Sequence, residues 1–145
     1  MPHLIDDGIN FDLSTAAISK NQKLWVRVRG KSMFPALPDN SLMCILRCDA
    51  EDLRCGDIAL FKDHGCLVAH RFFKQVRRNG SAIFKVKGDT TFAVDYAVKH
   101  DDIIAKVIAV KYPWFTVRID NLLMRDLGLC MSQVMPYVYG IWGKT

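Results

Sequence analysis

The sequence predicts an all-β, that is mainly β, protein with a barrel-like body and short helices at its N- and C-terminal ends. About seven segments have the pattern of β-strands: they either alternate apolar and polar residues or form short apolar runs bounded by Gly, Asp or Asn. Only two segments have a helical pattern. This number of short strands, with turn residues between them, is typical of an all-β sandwich or barrel.

The strands follow one another along most of the chain. A short helix is expected over residues 14–20, capped by Asp12 or Ser14. From Lys23 apolar residues recur at every second position, as a half-buried strand requires, and Gly30 ends that strand. Further strands are predicted over residues 42–46, 58–61, 66–73, 83–87, 103–112 and 116–119.

Turn and cap residues predict how these elements connect. Tight hairpins are expected at Asp63-His64-Gly65 and at Asn79-Gly80, because these residues accept a positive φ. A second helix is expected over residues 121–129, capped by Asp120 or Asn121 and ended by Gly128.

The composition fits one compact domain over residues 1–145. Half of the residues are hydrophobic and 24% are charged, which excludes a disordered or collagen-like chain. Twenty Lys and Arg against fifteen Asp and Glu give a net charge of +5, too small to demand a polyanionic partner.

Cysteine usage and the first twenty residues indicate the compartment. Five cysteines cannot all pair within one chain, and no secretory signal precedes them, so free thiols in the cytoplasm are expected. No window approaches the roughly 20 apolar residues that a bilayer span needs. The apolar residues 134–142 are expected to pack on the sheet, with docking on a partner or peripherally on a membrane as the other option.

Four residues at the ends of predicted strands form a candidate catalytic set. Ser32 follows the first strand, His70 lies in an apolar strand, and Asp89 and Asp95 follow the strand over residues 83–87. Each also has an ordinary structural interpretation, since a Ser in a surface turn, a hydrogen-bonded His and Asp residues in turns are common. The order of the four is more specific than any one of them.

The segments that carry these residues resemble the signal peptidase I and LexA-type serine peptidase superfamily. The resemblance lies in VRGKSMFP over 28–35, GDIALF over 56–61, His70-Arg71, and KGD over 87–89 with Asp95, and it covers about residues 24–112. Four ordered motifs at matching spacing make chance agreement improbable.

The resemblance implies a coiled β-barrel and serine peptidase chemistry without a metal or cofactor. Ser32 matches the nucleophile, and His70 matches the base of the archaeal and endoplasmic-reticulum branch, where bacterial signal peptidases use a Lys. Asp95 matches the carboxylate that orients the His, with Asp89 as a structural or alternative third member. A carboxylate neighbour is expected to raise the pKa of the imidazole.

The resemblance also implies how a substrate binds. A peptide is expected to add as a β-strand, with Met33, Phe34 and Pro35 beside a shallow pocket. Gly30 stands where the family often has a Ser, so backbone amides, chiefly that of Ser32, are expected to hold the oxyanion. The membrane anchor of signal peptidases is missing, which favours a cytoplasmic peptide or protein precursor as substrate.

Other functions stay open. A self-cleaving regulator of the LexA kind needs an Ala-Gly or Cys-Gly bond before the Ser, and residues 1–31 contain neither. A non-catalytic module on the same fold would bind a peptide, or a nucleic acid through Arg27, Arg29 and Lys31, although solvation of these charges is the favoured interpretation. The cysteines near Cys44 lack the spacing of a zinc site.

Overall fold

The computed structural model describes residues 22–92 and 96–142. In this part of the chain, eight strands are followed by one long helix. The strands are β1 (Lys23–Arg27), β2 (Leu42–Arg47), β3 (Ile58–Asp63), β4 (Cys66–Arg78), β5 (Ser81–Lys87), β6 (Tyr96–Lys99), β7 (Ile103–Lys111) and β8 (Thr116–Arg118). The helix, α1, is Leu122–Trp142, and single 3-10 turns lie at Ala50–Asp52 and His100–Asp102.

The strands form one antiparallel sheet in the order β1-β2-β7-β3-β4-β5-β6, and β8 pairs with β7. The hairpins β3–β4 and β4–β5 turn through His64-Gly65 and Asn79-Gly80, all four with positive φ. The mainly β fold and both hairpins are therefore confirmed. Among the described residues the sheet does not close into a barrel, because β1 and β6 are its edges.

The core lies on both faces of the sheet, and β3 shows how. Its residues alternate between two buried clusters, with Ile58 and Leu60 in one and Ala59 and Phe61 in the other. A strand covered on both faces is apolar without interruption, which is why this segment has no polar alternation in the sequence. Burial on both sides fixes β3 and its partner β4 at the centre of the molecule.

Two elements differ from the sequence-based expectation. β6 was not predicted because it is only four residues long, and of residues 97–99 only Val98 is buried, which gives no periodic signal. The C-terminal helix is not short, because it continues through Gly128 to Trp142. The expected helix over residues 14–20 lies outside the described residues.

Gly128 lies inside α1 at a point where the helix packs closely against Arg71. A Cβ built on Gly128 would lie 2.2 Å from Nη1 of Arg71 and 2.5 Å from its Cζ. One turn earlier, Arg125 packs on Gly56, where an added Cβ would lie 2.8 Å from the Arg125 Cβ. The helix therefore rests on the sheet through small residues and polar groups, beside a cavity that Met124, Leu127 and Met131 line.

The expectation that residues 134–142 pack on the sheet can be compared only with residues 134–138 and 140, and it holds for some of them. Met135 and Pro136 are buried, but Val134, Tyr137 and Val138 are exposed. Among the described residues, no helix is both long enough and apolar enough to cross a bilayer.

We expect Gly128→Ala to destabilise the fold by about 1–3 kcal/mol, the usual cost of overpacking a tight contact. The side chain that would have to move is Arg71, which is held by three hydrogen bonds and cannot swing away. The matched control is Gly140→Ala in the same helix, where an added Cβ meets nothing within 4 Å. That variant should be neutral or stabilised by up to about 1 kcal/mol, since Ala favours helix over Gly. Urea unfolding of both variants measures the difference, and equal stabilities would contradict this packing.

Candidate active site

Ser32 and His70 meet at Gly88. A Cβ built on Gly88 would lie 3.2 Å from the Ser32 Cβ and 3.4 Å from Nε2 of His70. One point in space is therefore in contact with both side chains, so the hydroxyl-bearing carbon and the ring nitrogen border a common gap. The absence of a side chain at Gly88 is what lets both groups approach its backbone this closely.

Ser32 is held at this gap by the segment that follows β5. The backbone N–H of Thr90 donates to the Ser32 carbonyl at 3.0 Å, and the Thr90 hydroxyl donates to the same oxygen at 3.3 Å. Thr91 steadies the segment, since its hydroxyl donates to the Gly88 carbonyl at 2.8 Å. The backbone of the candidate nucleophile is thus tied to the turn that carries Gly88.

His70 is placed by the register of β4. It lies opposite Ala59 of β3, and its ring contacts the edge of Phe61 with 5.7 Å between ring centroids. Successive strand residues point to opposite faces, so the next residue, Arg71, turns away from the gap toward α1. The His-Arg pair therefore serves two sides of the sheet at once.

Arg71 and Asp89 form a buried bidentate ion pair behind the gap. Nε and Nη2 of Arg71 donate to the two Asp89 oxygens at 2.8 and 2.7 Å, and Nη1 donates to the Gly56 carbonyl at 2.8 Å. The residues Arg71 and Asp89 are 3% and 0% exposed. A charge pair buried this deeply needs such complete hydrogen bonding to offset the loss of hydration.

Lys87, two residues before Asp89, is buried against the inner face of α1. Its ammonium donates to the Ser132 carbonyl at 2.5 Å and to the Ser132 hydroxyl at 2.8 Å. Pro136 has no N–H to bond that carbonyl, which stands four residues earlier in the helix. Lys87 replaces the missing donor, while burial lowers the pKa of its ammonium.

Burial decides the protonation of His70. Desolvation lowers the pKa of the imidazole below its ordinary value of 6.5, and the nearby Asp89 and Asp63 carboxylates only partly oppose this. The expected upward shift is therefore wrong, because loss of hydration outweighs the carboxylates around a ring packed against Phe61. The ring is neutral at pH 7, as a general base must be.

The two candidate carboxylates have different outcomes. Both carboxylate oxygens of Asp89 accept hydrogen bonds from Arg71. Of the two roles suggested for Asp89, this arrangement fits the structural one. Asp95 lies outside the described residues, and its assignment as the group that orients His70 stays a prediction.

The three residues expected to line one substrate pocket do not lie together in the structure. Met33 is buried in the core and lines the groove beside Ser32, whereas Phe34 is half exposed. Pro35 lines a different cavity, of about 280 Å³, between the sheet and α1. A single shallow pocket shared by all three is not found among the described residues.

A groove of about 170 Å³ runs from Ser32 between two strand edges. One side is residues 26–30, at and just after the end of β1, which pairs only with β2 within the described residues. The other side is residues 66–69 of β4, where the register to β5 has not yet begun and β3 is the paired neighbour. Two edges with room between them can accept an added strand.

Sequence reasoning missed the part that α1 has in this site. Gly128 has the pattern of a helix end, and Ser132 and Pro136 have the pattern of surface or helix-breaking residues. The available signal was the conflict between a Pro and an otherwise sustained helical pattern, with an unexplained Lys87 next to the KGD motif. Lys87, Ser132 and Pro136 are connected only by the contact between β5 and α1 in the folded protein.

Comparison with known proteins returned no match to a family model, a curated protein or a solved structure. Within residues 22–92 and 96–142, no group of three or more His, Cys, Asp or Glu side chains is arranged to hold a metal ion. The function is therefore argued from the geometry of the site.

Proposed function

We propose that this protein is a serine endopeptidase that uses Ser32 as nucleophile and His70 as general base. The observation that carries the proposal is the common gap at Gly88, bordered by the Ser32 Cβ and by His70 Nε2. A Ser and a neutral imidazole that pack against the same glycine, beside a groove, are the groups that nucleophilic acyl transfer needs.

The chemistry would proceed in two halves. Ser32 Oγ attacks the substrate carbonyl as its proton passes to His70 Nε2, and the imidazolium returns that proton to the leaving amine. Water then repeats the sequence on the acyl-enzyme, which releases the acid and restores Ser32. The backbone N–H of Ser32 is the proposed oxyanion donor, and Asp95 is the proposed partner of the imidazolium.

The proposed substrate is an extended peptide segment of a larger precursor. Bound as a strand, it would pair with the edges at residues 26–30 and 66–69 and bring one carbonyl to Ser32. The groove is narrow and lies between strands, which favours a peptide over a nucleic acid. The five free cysteines fit a precursor in a reducing compartment such as the cytoplasm.

We expect a fluorophosphonate probe to label the protein at Ser32 and Ser32→Ala to abolish both labelling and peptide hydrolysis. Ser32→Ala should leave the melting temperature nearly unchanged, because its hydroxyl has little part in the packing. Ser41→Ala is the matched control, since the Ser41 hydroxyl is half buried and donates to a loop carbonyl at 2.6 Å far from His70. Intact mass spectrometry reports the label.

Two results would contradict the proposal. Hydrolysis that survives Ser32→Ala would assign the activity to another residue. A protein that binds peptides in the groove but is never labelled would be a binding module on this fold.

The second-order rate of labelling should fall only below pH 6.5 as the solution is acidified, because burial lowers the pKa of His70 from that ordinary value. Protonation removes the base, so the acid limb marks the folded-state pKa. Asp63→Asn should move the limb to still lower pH, because the Asp63 carboxylate raises the His70 pKa. A limb above pH 7 in the unmodified protein would show that a different group titrates.

A further inference from the structure

One wall of the groove turns the backbone groups of Arg27 and Arg29 toward the space between the walls. Val28, which lies between them, is bonded on the β2 side: its N–H donates to the Ser41 carbonyl at 2.8 Å, and its carbonyl accepts the Asn40 N–H at 2.9 Å. The polar backbone groups of successive strand residues point to opposite edges, so those of Arg27 and Arg29 face the groove. An added strand would therefore hydrogen-bond to these two residues.

The side chains of this wall alternate between the core and the surface. Val26 and Val28 are buried, whereas Arg29 is exposed, Arg27 is partly exposed, and both arginines line the groove. Residues directly opposite each other in neighbouring strands point to the same face. A peptide strand would therefore place one residue opposite Val28, toward the core, and its two neighbours beside the two arginines.

No acid neutralises the two arginines. The Arg27 guanidinium donates to neutral acceptors, the Asn40 carbonyl at 2.8 Å and the Asn40 side-chain oxygen at 3.3 Å. The nearby Asp39 carboxylate accepts the backbone N–H of Gly30 at 3.0 Å. Within the part of the chain that the structure describes, no carboxylate lies within ion-pair distance of Arg27 or Arg29. The outward face of this wall is therefore positively charged.

The rest of the groove carries no charge. Its floor is buried and apolar, and its opposite wall is uncharged; the floor consists of Met33, Leu37, Met43 and Leu60, and the opposite wall of Cys66, Leu67, Val68 and Ala69. A bound peptide would thus meet positive charge on its outward face along one wall and apolar side chains beneath it. These two surroundings favour different residue types at alternate positions of the peptide.

We propose, on the premise that this groove binds the substrate of the proposed peptidase, that Arg27 and Arg29 select peptides in which one apolar residue stands between two acidic ones. Opposite charges directly across from each other in neighbouring strands are stabilising, and like charges are destabilising. An arginine also holds a carboxylate with two N–H groups at once. Arg29 has the larger part, because the Arg27 guanidinium is already bonded to Asn40.

Peptide binding to Ser32→Ala tests the proposal, since this variant binds without turnover. The probes are rhodamine-labelled peptides that differ only in a central Glu-Val-Glu, Gln-Val-Gln or Lys-Val-Lys, and fluorescence anisotropy gives each dissociation constant. At low ionic strength the Glu peptide should bind roughly three- to tenfold more tightly than the Gln peptide, and the Lys peptide most weakly. The difference should shrink as salt is added, because exposed charges are screened.

Substitutions at Arg29, made in the same background, assign the selectivity. Arg29→Gln should remove most of the preference for the Glu peptide while the Gln peptide binds as before. Arg29→Glu should reverse the order, so that the Lys peptide binds more tightly than the Glu peptide. The matched control is Lys23→Gln, which removes one positive charge from an exposed position of the same strand that does not line the groove, and it should leave the preference unchanged.

Four outcomes would overturn the proposal: no binding of any of the three peptides, equal binding of the Glu and Gln peptides, a preference that survives Arg29→Gln, and a preference that is lost in Lys23→Gln. Fluorophosphonate labelling, which uses no peptide, tests the peptidase separately. Labelling of Ser32 without an acidic preference would keep the peptidase and overturn this selectivity. An acidic preference in a protein that is never labelled would support the selectivity of the groove and contradict the catalytic role of Ser32.

Discussion

The pairing of Arg71 with Asp89 is the interaction on which the rest of the site depends. Each partner follows directly after a residue of the gap, since Arg71 follows His70 and Asp89 follows Gly88. Two hydrogen bonds of 2.7 and 2.8 Å between their side chains therefore bring His70 and Gly88 together through chain connectivity alone. The ion pair lies on one face of the sheet, and the Ser32 and His70 side chains of the proposed site lie on the other.

A buried ion pair is a poor source of stability, because dehydration of both charges offsets most of their attraction. In this protein the ion pair contributes by holding His70 and Gly88 in position. The Nη1 group of Arg71, which does not bond Asp89, donates to the Gly56 carbonyl at 2.8 Å. The guanidinium group also packs against Gly128 of α1. Strand, loop and helix thus converge on one guanidinium, which a Lys, with a single point charge, could not hold in this way.

The strands could be predicted from the sequence because each carries its own local signal. Alternation from Lys23 and the Asn79-Gly80 turn predict strands without reference to the rest of the chain. The length of α1 could not be predicted, since Gly128 and Pro136 both have the pattern of helix breakers and the contacts that accommodate them are tertiary. The downward direction of the His70 pKa also depends on burial, which the motif does not contain.

The proposed chemistry depends on the close approach of Ser32 and His70 at Gly88. The most direct measurement is the rate constant of fluorophosphonate labelling at Ser32 in Gly88→Ala, with the melting temperature recorded alongside. The added methyl would lie 3.0 Å from the Ser32 carbonyl oxygen, 3.2 Å from the Ser32 Cβ and 3.4 Å from His70 Nε2, so we expect it to push Ser32 and His70 apart by a few tenths of an ångström. The account predicts labelling slowed by about a hundredfold or more in a folded protein, the usual effect of misplacing reacting groups. Labelling at the unmodified rate would contradict it.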